Sequence, residues 1–339
     1  MLLNFDDFLS LRRELPVADV RSEGEYQQGH IPEAVNIPIL NDAERVVVGT
    51  AYKQVGQLAA IKEAFRLVGP RMVDIVTSAE TLALGHELIV HCWRGGMRSG
   101  NFCQFAGMMR IKTHQLAGGY KTYRRAAIES FGRDLPFIVL SGNTGSGKSE
   151  ILRGLRNQGE QIIDLETLAS HKGSVFGGLQ MPPQPTTEQF QNTLFESILA
   201  LDPSRRIWVE DESLAIGRVY LPEAFWMTMS KSPVVEINMD RQSRVQRLMA
   251  EYATADRGEF IAAMEKISKR LGGQHLIAAR SYVLADDMAA AIAILLTYYD
   301  KAYANGLRDK QNRIKLQMHL ESPHVDAVVR ELVRSNPIL

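Results

Sequence analysis

His91-Cys92-Trp93-Arg94-Gly95-Gly96-Met97-Arg98-Ser99 is the stretch from which fold and chemistry are read outward. It follows Glu87-Leu-Ile-Val-His91, a short β-branched apolar run that predicts a buried strand. Apolar residues at helical spacing from Asn101 to Met109 predict a helix on the other side. In a strand–loop–helix unit, loop N–H groups and the helix N-terminus form a positive cradle that favours an anion and lowers a thiol pKa. Arg94 and Arg98 add fixed charge able to grip an oxyanion in a bidentate way, and Gly95, Gly96 and Ser99 complete the candidate anion loop. Cys92 therefore reads as a thiolate nucleophile. The competing reading is a buried, inert cysteine; two glycines and two arginines in so short a loop favour the nucleophile.

Composition bounds the remaining possibilities. A chain of 339 residues is long for one core, so two domains are expected. With 45% apolar and 23% charged residues it has the make-up of an ordinary globular protein. Lys+Arg and Asp+Glu are equal at 39 each, so any nucleic-acid surface must be local. Two cysteines, Cys92 and Cys103, argue against a disulfide framework and suit a reducing cytoplasm. The N-terminus lacks a basic, apolar signal pattern. The most apolar late segment, 288–299, is too short to span a bilayer. The expected setting is cytoplasmic, without a membrane partner, and nothing in the sequence demands more than a monomer.

Taken in order, 5–13 predicts an amphipathic helix and 16–20 a short strand. The run Asp19-Val-Arg21, Glu25-Tyr-Gln-Gln-Gly29-His30-Ile-Pro32-Glu-Ala, the strand–Cys–loop–helix and Gly119-Tyr120 together resemble the rhodanese family. That resemblance implies a parallel sheet with flanking helices and the cysteine loop at the carboxyl end of a central strand. Asp19 and Arg21 are expected to pair beneath the loop, and His30 to be a turn residue rather than a base. The spacing Cys92-x5-Arg98 is one residue longer than the usual rhodanese loop and also resembles the HC-x5-R loop of cysteine-dependent phosphatases. Such a loop has room for a tetrahedral oxyanion as well as a chalcogen atom. Residues 41–85 form a long insertion beside this site, partly helical, of the kind that carries specificity. Tyr52 and Lys53 in it are candidates for nucleotide contact, or a solvated helical segment. Cys103, between Phe102 and Phe105, is expected in the core. A closing helix over 121–131 ends a first domain at 132.

The second domain, 133–339, opens with the buried strand Pro136-Phe-Ile-Val-Leu-Ser141 and runs into Gly142-Asn143-Thr144-Gly145-Ser146-Gly147-Lys148-Ser149. This is the P-loop pattern in its required strand–loop–helix setting. Backbone N–H groups can wrap a di- or triphosphate, Lys148 supplies a point charge, and Ser149 can hold Mg²⁺. Residues 162–166 predict the next strand end, 171–178 and 182–185 a mobile polar loop, and 234–238 another strand. Arg206-Ile-Trp-Val-Glu210-Asp211-Glu212 has Walker B form, with the metal-facing acid undecided among the last three. Arg241, Arg244 and Arg247 lie at spacing three on one helical face, as a phosphate lid or a solvated face. Lys266, Lys269 and Arg270 are the best local candidates for RNA phosphate contacts. A strand over 313–318 and a helix capped by Ser322-Pro323 end the chain.

The fold expected is therefore α/β throughout: a rhodanese-like parallel sheet, then a P-loop NTPase-like α/β domain with a helical C-terminal part. The two loops, with Gly49-Thr-Ala-Tyr-Lys-Gln54, Asp164-Leu-Glu166, His171-Lys-Gly-Ser-Val-Phe-Gly177, Val209-Glu-Asp-Glu-Ser213 and Tyr298-Tyr-Asp300, resemble the tRNA 2-selenouridine synthase family over almost the whole chain. The resemblance implies conversion of wobble 2-thiouridine, in lysine, glutamate and glutamine tRNAs, to 2-selenouridine. Geranyl diphosphate first alkylates the sulfur; selenophosphate, from a supplying enzyme, then delivers selenium. Cys92 would handle selenium, with Arg94, Arg98 and the loop N–H groups on the phosphate. Neither step consumes ATP, so the P-loop is expected to take the prenyl diphosphate, with Mg²⁺; ATP or GTP binding is the open alternative. Two other classes compete: a phosphatase or sulfurtransferase acting through Cys92 alone, and an ATP-dependent small-molecule kinase with a regulatory rhodanese module.

Overall fold

Leu88, Ile89 and Val90 are completely buried on both faces of the backbone, the environment of a central strand in a parallel sheet. The computed structural model describes residues 1–335 except 85, 253, 309 and 321–323. It divides into two units, Met1–Ser130 and Phe131–Leu339.

In the first unit, β1 (Leu2–Leu3), β2 (Val17–Asp19), β3 (Val35–Asn36), β4 (Glu87–His91) and β5 (Lys112–Leu116) form a parallel sheet in the order β1-β5-β4-β2-β3. Strand β4 is central, with Ile89 opposite Val17 on one side and His114 on the other. Helices α1 (Phe5–Leu11) and α2 (Glu23–Gln28) precede the insertion.

The insertion is helical from end to end: α3 (Asp42–Gln54), α4 (Gln57–Val68), a 3₁₀ turn at Gly69–Arg71 and α5 (Met72–Ala83). Its expected last residue, Gly85, lies outside the described residues. Helix α3 starts where it does because Asn41 and Glu44 cap each other's backbone N–H groups, at 2.8 and 2.9 Å. Gly56 breaks the run with φ +122°, a conformation open to glycine. The helix after the cysteine loop, α6 (Met97–Met108), begins four residues before the expected Asn101. Its first turn is built from the loop itself, with Gly100 N–H donating to the Gly96 carbonyl at 2.9 Å, so apolar spacing could not reveal it. Helix α7 (Gly119–Ser130) closes the unit.

In the second unit, β6 (Phe137–Gly142) leads to α8 (Lys148–Asn157), β7 (Gln161–Ile163) and the short α9 (Leu165–Leu168). After α10 (Thr187–Leu199) come β8 (Ile207–Glu210), a hairpin of β9 (Ala215–Ile216) and β10 (Val219–Tyr220), α11 (Glu223–Lys231) and β11 (Val234–Met239). Helices α12 (Arg241–Tyr252), α13 (Arg257–Lys266), α14 (Ser268–Leu271), α15 (Gly273–Leu284) and α16 (Met288–Arg308) precede β12 (Ile314–Leu320) and α17 (Asp326–Arg334). The main sheet is parallel in the order β12-β11-β6-β8-β7, so β6 and the loop after it are again central. The expected Ser322-Pro323 cap lies outside the described residues; α17 follows Val325.

The segment expected as a mobile polar loop is anchored. Phe176 is buried and stacks on Phe260 at 4.7 Å, within the apolar cluster of the late helices. One aromatic residue among polar neighbours outweighs their average character. No helix among the described residues is long and apolar enough to cross a membrane.

Beneath the cysteine loop, Arg21 and Asp19 are fully buried and paired, with Nε to Oδ1 at 3.0 Å and Nη2 to Oδ2 at 2.6 Å. Arg21 also donates to the Gly29 carbonyl at 2.7 Å and lies 3.9 Å from the Tyr120 ring centroid. Removing one member of such a pair strands the other charge out of water. Asp19→Ala is expected to lower unfolding free energy by about 3–5 kcal/mol in urea denaturation; a loss under about 1 kcal/mol would show that the pair does not hold the unit together.

Candidate active site

Cys92 follows β4 and is 3% exposed, at the base of its loop. Its Sγ lies 3.1 Å from the Ser99 hydroxyl, and Gln115 holds that hydroxyl at 2.9 Å and the Gly95 carbonyl at 2.7 Å. Burial alone would raise the thiol pKa. Hydrogen bonds from the Ser99 hydroxyl and from the N–H groups of Ser99, Gly96 and Arg94 outweigh it, and the pKa falls below the ordinary cysteine value.

The loop owes its shape to a second segment pressed against it. Tyr120 N–H donates to the Cys92 carbonyl at 2.9 Å, and Lys121 N–H to that of Trp93 at 3.0 Å. Gly119 has φ +58°, and a β-carbon there would sit 2.2 Å from the Cys92 carbonyl oxygen. Only glycine permits this approach.

The loop arginines part company. Arg94 is exposed at the rim. Arg98 turns to Glu25 in a two-point ion pair whose second contact is 3.2 Å, and Glu25 also meets Arg45 at 3.1 Å. Arg98 thus ties the loop to α2, close enough for its charge to be felt at Cys92. His91 is buried and held neutral by burial, 3.8 Å from Asp19. His30 stacks on Tyr26 at 3.8 Å and contacts the Tyr26 carbonyl at 2.9 Å, as a turn residue would. Cys103 is half-buried against the same core, and burial raises its pKa.

In the second unit, residues 142–149 join β6 to α8 and border a cavity of about 1100 Å³. Gly145 and Gly147 have φ of +81° and +85°. Lys148 Nζ donates to the Gly142 carbonyl at 2.7 Å, folded back over the loop. Asn143 donates to Asp300 at 3.0 Å, Thr144 offers its carbonyl to Arg244 at 3.4 Å, and Ser146 keeps a buried hydroxyl with no partner among the described residues. Ser149 donates to Glu166 at 2.6 Å.

The three Walker B candidates separate. Glu210 is fully buried, accepts from Leu165 N–H at 2.8 Å, and is pushed well above the carboxylate range by burial and by Asp164 and Glu166. It does not face the cavity. Asp211 is held by Ser141 at 2.5 Å and by Lys310. Glu212 lines the cavity and is raised to about 8 by burial and the nearby Glu166 charge. Glu166, the acid that reaches the P-loop serine, was not among the three. Its sequence signals were a position just after the second strand of a P-loop unit and a place in the Asp164-Leu-Glu166 motif, neither of which gave it a role at Ser149.

Among the described residues no group of three or more His, Cys, Asp or Glu side chains is arranged to hold a metal alone. The Ser149 hydroxyl with Glu166 is an all-oxygen pair suited to Mg²⁺, which keeps waters and takes phosphate oxygens for its remaining positions, and Glu212 lines the same cavity. Burial first, and neighbouring carboxylates second, raise the pKa of both acids, and a bound cation would favour their charged forms.

Arg241, Arg244 and Arg247 do not form one lid. Arg241 reaches away to the Ala293 carbonyl and Thr297 at 2.6 and 2.7 Å. Arg244 is buried against Asp300 at 2.7 and 2.9 Å, bracing the P-loop. Arg247 lines the cavity and pairs with Glu150. Spacing placed them on one face, but each finds a different partner. Lys266, Lys269 and Arg270 are exposed on α13 and α14.

Comparison with known proteins matches residues 5–126 to the rhodanese-like domain family and 135–334 to the tRNA 2-selenouridine synthase AAA domain family. The tRNA 2-selenouridine synthase of Shewanella denitrificans is 33% identical over 91% of this chain and 93% of its own. That of Bordetella bronchiseptica is 35% identical over 89% and 90%. Among solved structures, an N-terminal domain from Clostridium difficile 630 is 37% identical, covering 37% of this chain and 97% of its own, with TM-score 0.35.

The thiolate absorbance of Cys92 is expected to titrate below the ordinary cysteine value of about 8.5. Since a hydrogen bond to a charged group contributes about 1.5–3 kcal/mol, Ser99→Ala should raise the midpoint by about one unit or more. An unchanged midpoint would show that the hydroxyl plays no part in holding the thiolate.

Proposed function

Because the chain belongs to the tRNA 2-selenouridine synthase family, we propose that it exchanges the sulfur of wobble 2-thiouridine for selenium in two steps, one for each phosphate-binding loop. It is an enzyme that transfers selenium to tRNA. In the first step the 2-thiouridine sulfur attacks the allylic carbon of geranyl diphosphate and diphosphate leaves. The P-loop suits that leaving group: Lys148 and the N–H groups from Gly142 to Ser149 meet the departing charge. Mg²⁺ held by Ser149 and Glu166 would neutralise diphosphate charge. Alkylation is what makes the exchange feasible. An unmodified thiocarbonyl sulfur would have to depart as a very basic dianion, whereas an alkyl thiolate is a far better leaving group, and C2 becomes more electrophilic.

The second step belongs to Cys92, and the observation that carries the reading is the ring of N–H donors around its sulfur. Selenium in selenophosphate is already at the selenide oxidation level. Thiolate attack on selenium would have to expel a phosphite trianion, a very poor leaving group. Attack on phosphorus expels hydrogen selenide, a good one. The Cys92 S–P bond forms, the P–Se bond breaks, and its electron pair leaves with selenium. Hydrogen selenide adds to C2 of the alkylated base, and the adduct collapses with loss of geranyl thiolate. Water then cleaves the S–P bond, giving phosphate and the thiolate again. No oxidant or reductant is needed. The Cys92-x5-Arg98 spacing supports this assignment, since it leaves room for a tetrahedral phosphoryl group, and Arg94 at the rim adds charge.

Loss of the P-loop cation should cost about a hundredfold or more in tRNA alkylation. Nucleoside mass spectrometry of cells carrying Lys148→Ala is therefore expected to show 2-thiouridine left unalkylated, and with Cys92→Ser the S-geranyl nucleoside without 2-selenouridine. Normal alkylation by Lys148→Ala would overturn the P-loop assignment. In vitro, inorganic pyrophosphate should compete with geranyl diphosphate better than ATP does; the reverse would favour a nucleotide-driven role.

A further inference from the structure

The inserted helices do more than cover the sheet. Between α3, α4 and the start of α6 lies a second cavity of about 140 Å³, lined by Val48, Ala60, Ile61, Ala64, Phe65 and Phe105. Its volume is close to that of an engineered apolar cavity of ~150 Å³ that stays dry and binds benzene. Its polar lining is sparse, with Tyr52, Gln57, Asn101 and Arg98 the residues that bring polar atoms to it.

Two features separate this cleft from a packing defect. It is continuous with the cysteine loop, because Met97 and Arg98 belong to both. Gln57, at the start of α4, reaches the Met97 sulfur at 3.6 Å and so ties the insertion to the loop. The apolar cluster that contains Cys92 also contains Ile39, Leu40 and Val68, with Val48, Ala64 and Phe105 packed against it. In addition, large apolar side chains around the cleft are left in water: Phe65 is 59% exposed and Tyr52 58%. Aromatic surface held open beside a nucleophile favours a ligand that covers it.

We infer that this cleft between the inserted helices and the cysteine-loop helix binds the branched hydrocarbon chain carried by the sulfur that leaves in the second step. The inference rests on the two-step reading and adds a site to it. The chain would lie along α3 and α4 with its sulfur end towards Met97 and Arg98, which places the C–S bond to be broken near the Cys92 loop. The cleft offers no cluster of donors for a diphosphate, so it is a site for the alkylated base and not a second phosphate cradle. The insertion thereby acquires a role in catalysis, since it selects tRNA that has already been alkylated.

Full-length protein and two readouts test the site. Geraniol binding is measured by calorimetry against the shorter dimethylallyl alcohol. Each buried methylene contributes about fourfold in affinity, so geraniol should bind tenfold or more tightly. Ala64→Phe, which fills the cleft, should weaken geraniol binding about tenfold. Tyr52→Ser, at an exposed position where folding is not at risk, should weaken it severalfold. The second readout is the rate of selenation of chemically S-geranylated tRNA relative to S-methylated tRNA, which should fall tenfold or more in Ala64→Phe. Geraniol affinity indifferent to both substitutions would overturn the site. Cleft-dependent geraniol binding without any preference for S-geranyl over S-methyl tRNA in the wild type would also overturn this role while leaving the two-step reading standing. A wild type that binds geraniol in the cleft but selenates neither alkylated tRNA would contradict the two-step reading instead.

Discussion

The first unit depends on one close approach, that of the Gly119 backbone to the carbonyl oxygen of Cys92. Any side chain at 119 would overlap that oxygen. With glycine there, Tyr120 and Lys121 donate to the loop carbonyls from below. With two of its carbonyls engaged on that side, the loop turns N–H groups inward at Arg94, Gly96 and Ser99. The thiolate is therefore stabilised by fixed dipoles, which need no reorganisation when charge develops. The guanidinium groups sit around this arrangement, Arg98 tethered to Glu25 and Arg94 at the rim, and neither replaces the amides.

The second unit meets phosphate differently. Its P-loop is flanked by lysine, arginine and several carboxylates in a wide cavity. Asp300, on α16, holds both Asn143 and Arg244 and so fixes the P-loop from a helix far along the chain. Glu166 accepts from Ser149, and Glu212 lies within reach of the Glu166 and Lys148 charges, a grouping that suits a cation beside an oxyanion. A soft nucleophile held mainly by amide donors in one unit and hard charges in the other would suit the two proposed steps, a chalcogen exchange and a diphosphate departure.

Both loops were legible in the sequence because each is local. Strand, turn and helix are contiguous, so Leu88-Ile-Val90 and Phe137-Ile-Val-Leu140 announced central strands and the glycines announced the turns. The parts that escaped are those made by distant pairing. Glu166 meets Ser149 and Asp300 meets Arg244 across stretches that no periodicity links. Helical spacing put Arg241, Arg244 and Arg247 on one face but could not say which neighbour each would find. Helix α6 began early because the loop supplies its first turn, and Phe176 went inward among polar residues because its partners lie on later helices. The helical character of the whole insertion was only half visible, since α3 ends and α4 begins at a single glycine.

If the amide ring presents a phosphoryl group to the sulfur of Cys92, the covalent species it forms can be trapped. Rapidly quenched protein, mixed with selenophosphate in the absence of tRNA, is examined by phosphorus NMR and peptide mass spectrometry. A thiol-linked phosphate is expected on the Cys92 peptide, without selenium's isotope pattern, and none with Cys92→Ser. A Cys92 peptide that carries selenium and no phosphorus would contradict the mechanism.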